Sequence, residues 1–280
     1  MKKNIFWFFP KKSDCGGRAL MKCFDSHCHL DDRYFKDDAD SAIRRAKEAG
    51  VCEMMIVGTD LDSSRKVVEM ARKGEGLYAS VGVHPHDAVR CGPGVIDSLR
   101  ELAQNPRVRA WGETGLDFNR MYSPARDQEK CFARQMEAAG DLGLPLIFHE
   151  RDSKGRFLEM LKSRLGPKMS GVVHCFSGSR LELEQYLALG LHIGVTGIVT
   201  LLKRGEKLRA LVPLIPKDRI LIETDAPYLT PAPQKNKTRR NEPAFVVSVL
   251  RKLADALNED PAELARALRK NTLDFFNIHP

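Results

Sequence analysis

The chain has 280 residues, with 45 Lys and Arg against 37 Asp and Glu and a formal net charge of +8 at pH 7. Five basic residues and one acidic residue among the first twenty contribute +4 of this charge, so the rest of the chain carries the other +4. The overall charge is therefore a weak indicator of a nucleic-acid partner. The sequence has no apolar run of transmembrane length, no low-complexity linker and no obvious internal repeat, which excludes a membrane-spanning protein and a repeat array.

Residues 1–20 differ in composition from the rest of the sequence. Their apolar run, Ile5-Phe-Trp-Phe-Phe9, lies between Lys pairs and breaks at Pro10, so it is too short for the core of a secretory signal. We interpret residues 1–20 as a disordered extension or as the result of a misassigned translation start, with Met21 as the alternative start. The folded domain is expected to span residues 21–280.

Eight short apolar runs alternate with segments of helical periodicity after residue 20, which is typical of buried parallel strands joined by helices. The predicted strands lie near Lys22–Asp25, Cys52–Val57, Leu77–Val83, Val108–Gly112, Leu146–Phe148, Gly171–Val173, His192–Val195 and Arg219–Ile222. The predicted helices are Asp38–Ala49, Ser63–Lys73, Ile96–Gln104, Pro124–Leu142, Lys154–Leu165, Leu181–Leu189, Pro243–Leu257 and Pro261–Phe276. A (β/α)8 barrel typically needs about 250 residues. The sequence therefore predicts an α/β fold, a single-domain (β/α)8 TIM barrel.

The seven cysteines are dispersed, odd in number and without a Cys-x-x-Cys pair. This distribution favours a reducing compartment, and we expect a cytoplasmic protein. Cys28 and Cys175 flank candidate metal ligands, but small buried cysteines more often serve packing, and we assign them no chemistry.

The segment Asp25-Ser-His-Cys-His-Leu-Asp31 follows the first predicted strand. Alternate side chains of a strand share a face, so His27 and His29 would project in the same direction. Two such imidazoles indicate a metal site, although this segment taken alone fits a solvated turn with two surface histidines equally well.

Further groups of the metal-ligand type follow other predicted strands. Six of the eight histidines fall in four short segments, each after an apolar run, and two more runs end in acidic residues. In a (β/α)8 barrel, functional groups lie at the carboxyl ends of the strands and converge on one mouth. The residues predicted to meet there as metal ligands are His27, His29, Glu113, His149, His174 and Asp225.

This set of nitrogen and carboxylate donors fits two divalent ions. Imidazole with carboxylate suits zinc or manganese and, less well, magnesium, so the identity of the metal stays open. A carboxylate can bridge two ions about 3.5–4 Å apart, and such a pair activates water and neutralises charge on a phosphoryl oxygen. Glu113 is the candidate bridge.

The ordered motifs resemble the TatD-like metal-dependent deoxyribonucleases of the amidohydrolase-type TIM-barrel superfamily, over nearly all of 21–280. The resemblance rests on Asp25-Ser-His-Cys-His-Leu-Asp31, Gly82-Val-His-Pro-His86, Gly112-Glu-Thr-Gly-Leu-Asp117, Phe148-His-Glu-Arg-Asp152, His174-Cys-Phe-Ser-Gly178, Glu223-Thr-Asp-Ala-Pro227 and Asn241-Glu-Pro243. It implies one ion on His27, His29, Glu113 and Asp225 and a second on Glu113, His149 and His174.

The resemblance also implies hydrolysis of DNA phosphodiester bonds, with 3′→5′ exonuclease activity, cleavage at abasic sites, or both. In that mechanism the two ions activate water and stabilise the phosphate charge, while Asp225 orients the attacking water or accepts its proton. Asp225 and Glu113 are therefore the expected catalytic residues.

The predicted substrate contacts rest on weaker patterns. His84 matches the Gly-x-His-Pro segment of the family, while Arg151 and Tyr228 are plausible supports of the mouth. Arg151 could bind a phosphate or pair with an acid across the barrel top. The last loop carries four cations that could meet phosphates or merely aid solubility, and it departs from the compact Arg-Gly-Lys-Arg stretch of many relatives. These cations are Lys235, Lys237, Arg239 and Arg240.

Two other functions fit parts of the pattern. The same ions could hydrolyse an amide, an ester or an aminoacyl-RNA bond, since the fold does not fix the substrate. A non-catalytic nucleic-acid-binding protein is a third hypothesis, but the full set of ligand types argues against it. We expect a DNA substrate, no membrane partner and a monomer.

Overall fold

A computed structural model describes residues 21–166 and 169–279. Its eight parallel strands are hydrogen-bonded in the order β1 to β8. The strands are β1 (Cys23–Cys28), β2 (Val51–Val57), β3 (Leu77–Val81), β4 (Val108–Asp117), β5 (Leu146–Arg151), β6 (Gly171–Val173), β7 (His192–Val195) and β8 (Ile220–Ile222). The last strand returns to the first near their carboxyl ends, where Cys28 bridges to Ala226. The predicted (β/α)8 barrel is confirmed.

Helices connect successive strands and cover the outside of the barrel. They are α1 (Ala39–Glu48), α2 (Leu61–Lys73), α3 (Pro93–Leu102), α4 (Ala125–Leu142), α5 (Arg156–Arg164), α6 (Arg180–Ala188), α7 (Glu206–Leu211), α8 (Val246–Leu257) and α9 (Pro261–Phe275). The sequence analysis predicts no helix at α7, because six residues are too few to display helical periodicity. No helix within the described residues has the length and apolar character needed to cross a membrane.

The strand pleat sorts apolar side chains into two cores. Along β2, Met54 and Ile56 pack with the core that contains the helices, whereas Met55 and Val57 belong to a second cluster. That second cluster also contains Phe24 from the start of β1 and Phe276 from the end of the chain, whose rings lie 5.9 Å apart. Apolar side chains therefore fill the barrel near the amino ends of the strands, which leaves the carboxyl ends for polar groups.

Three strands extend further than predicted, and the extensions carry polar residues. The strand β1 continues through His27, β4 continues through Glu113 to Asp117, and β5 continues through His149. The apolar pattern used for prediction stops before these residues. The strands stay hydrogen-bonded to their neighbours here because the polar side chains point into the mouth of the barrel, where no apolar layer has to be filled.

The predicted disordered extension or misassigned start over residues 1–20 lies outside the described residues. The described part of the predicted domain, from Met21, forms the barrel, with Met21 packed against the core.

Candidate metal centre

Five strand ends bring all six predicted metal ligands together at the carboxyl end of the barrel, where all but the buried His27 line one cavity. The cavity has a volume of about 820 Å³. His27 lies on β1, Glu113 on β4 and His149 on β5, while the other three ligands directly follow or lie near strand ends. Those three are His29, His174 and Asp225. The convergence predicted for these ligands from five separate segments is thus present in the fold.

The first donor set consists of His27, His29, Asp225 and one carboxylate oxygen of Glu113. The two imidazole Nε2 atoms lie 3.1 Å apart. Glu113 Oε2 lies 3.3 Å from His27 Nε2 and 3.7 Å from His29 Nε2. Asp225 Oδ1 lies 3.9 Å and 3.5 Å from the same two nitrogens. Both carboxylate oxygens therefore lie within 3.9 Å of both imidazole nitrogens.

The second donor set uses the other oxygen of Glu113, together with His149 and His174. Glu113 Oε1 lies 2.7 Å from His149 Nδ1 and 3.1 Å from His174 Nε2. His84 Nε2 is slightly further from the same oxygen, at 3.6 Å. The Glu113 side chain is buried and divides its two oxygens between the two sets, as a bridging carboxylate would.

The spacing of the donors fits divalent ions. Bonds of about 2.1 Å from an ion to nitrogen or oxygen place neighbouring ligand atoms about 3.0 Å apart in octahedral and about 3.4 Å apart in tetrahedral geometry. The separations between 3.1 and 3.9 Å in the first set are close to this range. Both sets mix imidazole with carboxylate, a chemistry that several divalent metals accept.

Hydrogen bonds outside the donor sets fix two of the four histidine rings, each with one nitrogen free for an ion. His29 Nδ1 lies 3.1 Å from the carbonyl oxygen of Val57, and His174 Nδ1 lies 3.2 Å from Glu223 Oε1. In the neutral ring, each Nδ1 therefore carries the proton and donates it, so each Nε2 presents a lone pair to the centre. Metal-binding histidines are usually oriented in this way.

His84 has the opposite arrangement. Its Nδ1 accepts a hydrogen bond from the backbone N–H of His86 at 3.1 Å. The proton of the neutral ring must therefore lie on Nε2, the nitrogen that faces the centre. A protonated Nε2 donates a hydrogen bond and is a poor metal ligand, so this geometry suits contact with a substrate oxygen.

The electrostatics keep both acidic ligands ionised. Burial opposes ionisation of Glu113, but the surrounding imidazoles, led by His174 and His84, hold the pKa of this carboxyl well below its usual range. Burial also opposes ionisation of Asp225, yet hydrogen bonding to His29 lowers its pKa. Deprotonated carboxylates are the form that binds a metal ion.

Close strand packing helps to place Glu113 beside His149. At Gly115 on β4 the backbone has φ of +149°, and a Cβ atom there would lie 1.9 Å from the carbonyl oxygen of His149. Only glycine permits this approach. The Gly115 position therefore lets β4 and β5 bring their ligands to the same edge.

Asp117 also belongs to the site, although we did not predict it from sequence. One oxygen, Oδ2, lies 2.8 Å from His86 Nε2 and 3.5 Å from His149 Nε2. Burial alone would raise the pKa of Asp117, but contacts led by His149 lower it. Asp117 is four residues after Glu113 on β4, so strand periodicity places both on one face and could have identified it.

Glu223 is a second residue that the sequence analysis missed. It lies between β8 and Asp225, is buried, and accepts hydrogen bonds from Ser26 Oγ at 3.4 Å and the backbone N–H of Cys175 at 2.6 Å. Its contact with His174 orients that ring. The Glu-Thr-Asp spacing was visible, but sequence could not distinguish a ligand from the residue that positions another ligand.

The predicted substrate contacts fall into two groups. His84, Arg151 and Tyr228 line the cavity. The four cations of the last loop do not, and Arg240 binds Asp38 at 2.7 and 2.8 Å and Glu242 at 2.7 Å. The side chains of Lys235, Lys237 and Arg239 are exposed and form no ion pair within the described residues.

Two further arginines line the cavity without having been predicted. They are Arg120, on the loop between β4 and α4, and Arg204, on the loop between β7 and α7. Together with Arg151, they bring three guanidinium groups to the mouth. Neither Arg120 nor Arg204 belongs to a motif that the sequence analysis identified.

Comparisons with known proteins agree with the geometry. The family described as TatD related DNase matches residues 24–277. A 3′-5′ ssDNA/RNA exonuclease TatD from Cronobacter sakazakii is 43% identical over 256 residues, which covers 90% of this chain and 97% of the relative. The protein of the same name from Rahnella is 44% identical over 258 residues, covering 91% and 98%.

A solved structure gives the same result. The crystal structure of a TatD homologue from Escherichia coli K12 superposes with a TM-score of 0.85 and 30% sequence identity, covering 93% of this chain and 100% of that one. The predicted family is confirmed, and with it a hydrolase that depends on metal. On its motifs, its barrel and these relatives, the chain belongs to the TatD-related DNase family.

Proposed function

We propose that the protein is a divalent-metal-dependent nuclease that removes nucleotides from the 3′ end of single-stranded DNA. The observation that carries this proposal is the position of Glu113, whose two oxygens face separate donor sets 3.3 Å and 2.7 Å away. A bridged ion pair suits phosphodiester hydrolysis because it can neutralise charge on both sides of the phosphorus. Relatives at 43% and 44% identity carry the name of a 3′-5′ ssDNA/RNA exonuclease, which supports the polarity and extends the substrate class to RNA. Cleavage at abasic sites is a further proposed activity.

We propose two ions, with His27, His29, Glu113 and Asp225 on one and Glu113, His149 and His174 on the other. Magnesium, manganese and zinc are the candidate metals. When bound, such ions activate a water molecule and stabilise the negative charge that develops on the phosphate.

The residues around the ions have complementary tasks in this proposal. Asp225 lines the cavity, where its carboxylate can orient the attacking water or accept its proton. His84 presents Nε2–H toward the same space and can donate to a phosphate oxygen. Arg151 is exposed at the rim and can bind a neighbouring phosphate with two parallel hydrogen bonds.

The cellular setting is also a proposal. Dispersed cysteines support a cytoplasmic protein. All the proposed ligands come from one chain, which supports a monomer as the active unit.

The first test is nuclease activity of metal-stripped protein on 3′-end-labelled and abasic-site DNA. Restoring Mg²⁺, Mn²⁺ or Zn²⁺ separately is expected to restore stepwise loss of 3′ nucleotides, because catalysis requires the ions, and Glu113→Ala should abolish this restoration. Product sizing separates terminal loss from nicking at the abasic site. Stoichiometric metal binding without cleavage by any metal would contradict the proposal and favour hydrolysis of an amide, ester or aminoacyl-RNA bond.

A second test separates the cavity arginines from the last loop. Changing Arg120, Arg151 and Arg204 together to Gln is expected to weaken binding even of a four-nucleotide strand, since these side chains line the cavity. Each lost phosphate contact should reduce the slope of log affinity against log salt by about 0.7 for single strands.

Changing Lys235, Lys237 and Arg239 together to Gln is expected to reduce the slope of log affinity against log salt for a twenty-nucleotide strand but not for a four-nucleotide strand. The reason is that these cations lie outside the cavity. Fluorescence anisotropy across a salt series measures both effects. An unchanged slope on the long strand would remove the last loop from the binding surface.

A further inference from the structure

Two tyrosines flank the candidate metal centre, one near each donor set. Tyr122 and Tyr228 line the cavity, and their exposed fractions are 65% and 48%. The ring of Tyr122 lies 4.7 Å from that of His86, which contacts Asp117 and thereby the second donor set. The ring of Tyr228 lies 6.2 Å from that of His29, in the first donor set. One open aromatic face thus lies near each half of the centre.

The loop that carries Tyr122 is held by hydrogen bonds to the site itself. Asp117 Oδ1 accepts from the backbone N–H groups of Asn119 at 3.0 Å and Arg120 at 2.8 Å. Ser123 Oγ donates to the carbonyl oxygen of His86 at 2.7 Å. The residues on both sides of Tyr122 are therefore anchored, and the exposed ring is preorganised. Binding of a ligand to this ring would then lose little conformational entropy.

Tyr228 is held from the opposite side of the mouth. Its hydroxyl donates to Asp32 Oδ2 at 2.8 Å, and its backbone N–H donates to the carbonyl oxygen of Asp225 at 2.8 Å. The hydroxyl bond fixes the ring while leaving its surface half-exposed. Tyr228 is therefore tied to the residue that we propose to orient the attacking water.

We propose that Tyr122 and Tyr228 each stack on one of the two nucleobases that adjoin the scissile phosphate. Single strands are commonly bound by aromatic rings that accept any base face, together with cations that follow the backbone. A phosphate bound between the two donor sets would have one tyrosine near each set, and Arg120, two residues before Tyr122, lines the same cavity. A paired base already stacks in a duplex, so these rings select unpaired ends. This inference rests on the proposed nuclease function.

The test combines tyrosine variants with missing bases. Tyr122→Leu and Tyr228→Leu are each expected to raise KM for a single-stranded oligonucleotide by roughly 5- to 140-fold, the range that base stacking supplies. The assay is repeated with a reduced abasic residue at the 3′-terminal or at the penultimate position. The rise in KM caused by one variant should disappear when the base is missing at one of these two positions. The rise in KM caused by the other variant should disappear when the base is missing at the other position.

Two controls make the result specific. Tyr228→Phe keeps the ring but loses the bond to Asp32, so it should recover most of the affinity that Tyr228→Leu loses. Tyr34 is 52% exposed and does not line the cavity, so Tyr34→Leu should leave KM unchanged. The inference would be overturned if the rise in KM persisted with both abasic strands, or if it disappeared at the same abasic position for both Tyr→Leu variants. Wild-type protein that cleaves no strand would instead contradict the proposed function.

Discussion

Glu113→Gln is expected to reduce nuclease turnover by more than about 10³-fold, since metal-assisted charge stabilisation is worth several kcal/mol. The substitution keeps the size of a buried side chain but replaces a bridging carboxylate with a neutral amide. Each donor set loses the carboxylate charge that it takes from Glu113, because Oε2 faces His27 and Oε1 faces His149. Metal content should therefore fall for both ions.

Turnover on a 3′-labelled strand and metal content by mass spectrometry check this expectation on the same preparation. Circular dichroism and thermal unfolding establish that the variant is folded. Glu137, exposed on α4, provides the matched control, and Glu137→Gln should change neither turnover nor metal content. A fully active Glu113→Gln protein that holds two ions would refute the bridging role.

The regular part of the barrel could be predicted because its physics is local. Strands β6 and β7 have the predicted bounds, since short apolar runs flanked by polar residues define them. The strand β4 extends to Asp117 instead of ending near Gly112, because its last residues face a polar cavity and break the apolar pattern. Strand prediction from hydrophobicity therefore fails at the functional edge.

The metal ligands were visible for a different reason. His27 and His29 belong to one short motif, and the barrel fold alone requires that the other strand ends meet them. Supporting contacts were harder to predict because they join distant segments. Arg240 binds Asp38, which is 202 residues away in sequence. We expected Arg240 to contact the substrate, but it holds the last loop against the start of α1.

Loop residues at the mouth lacked any sequence signal. Arg120, Tyr122 and Arg204 belong to none of the ligand-bearing motifs, and nothing in their spacing relates them to the ligands. Their placement depends on how Asp117 binds the loop after β4 and how Arg209 donates to the carbonyl oxygens of residues 199, 201 and 202. Substrate contacts therefore depend on tertiary hydrogen bonds, whereas the ligands depend on strand order.

Asp225→Asn is expected to lower kcat by about 10²- to 10⁴-fold, the range for loss of a group that accepts or orients a proton. The amide has nearly the same shape, and the backbone bond from the Asp225 N–H to the carbonyl oxygen of His27, at 2.9 Å, does not involve the side chain. The fold should therefore persist. KM should change little, because the arginines and tyrosines that we propose to bind the strand are intact.

Metal content distinguishes this variant from Glu113→Gln. Asp225 Oδ1 contributes to the first donor set alone, 3.5 Å from His29 Nε2, so the ion bound by Glu113, His149 and His174 should remain. Asp97, exposed on α3, gives the matched control Asp97→Asn, which should retain both ions and full turnover. Loss of both ions from Asp225→Asn would mean that the two sets bind cooperatively, and wild-type turnover would exclude Asp225 from catalysis. Retention of one ion with reduced turnover would show that Asp225 serves the first donor set alone, whereas Glu113 serves both sets.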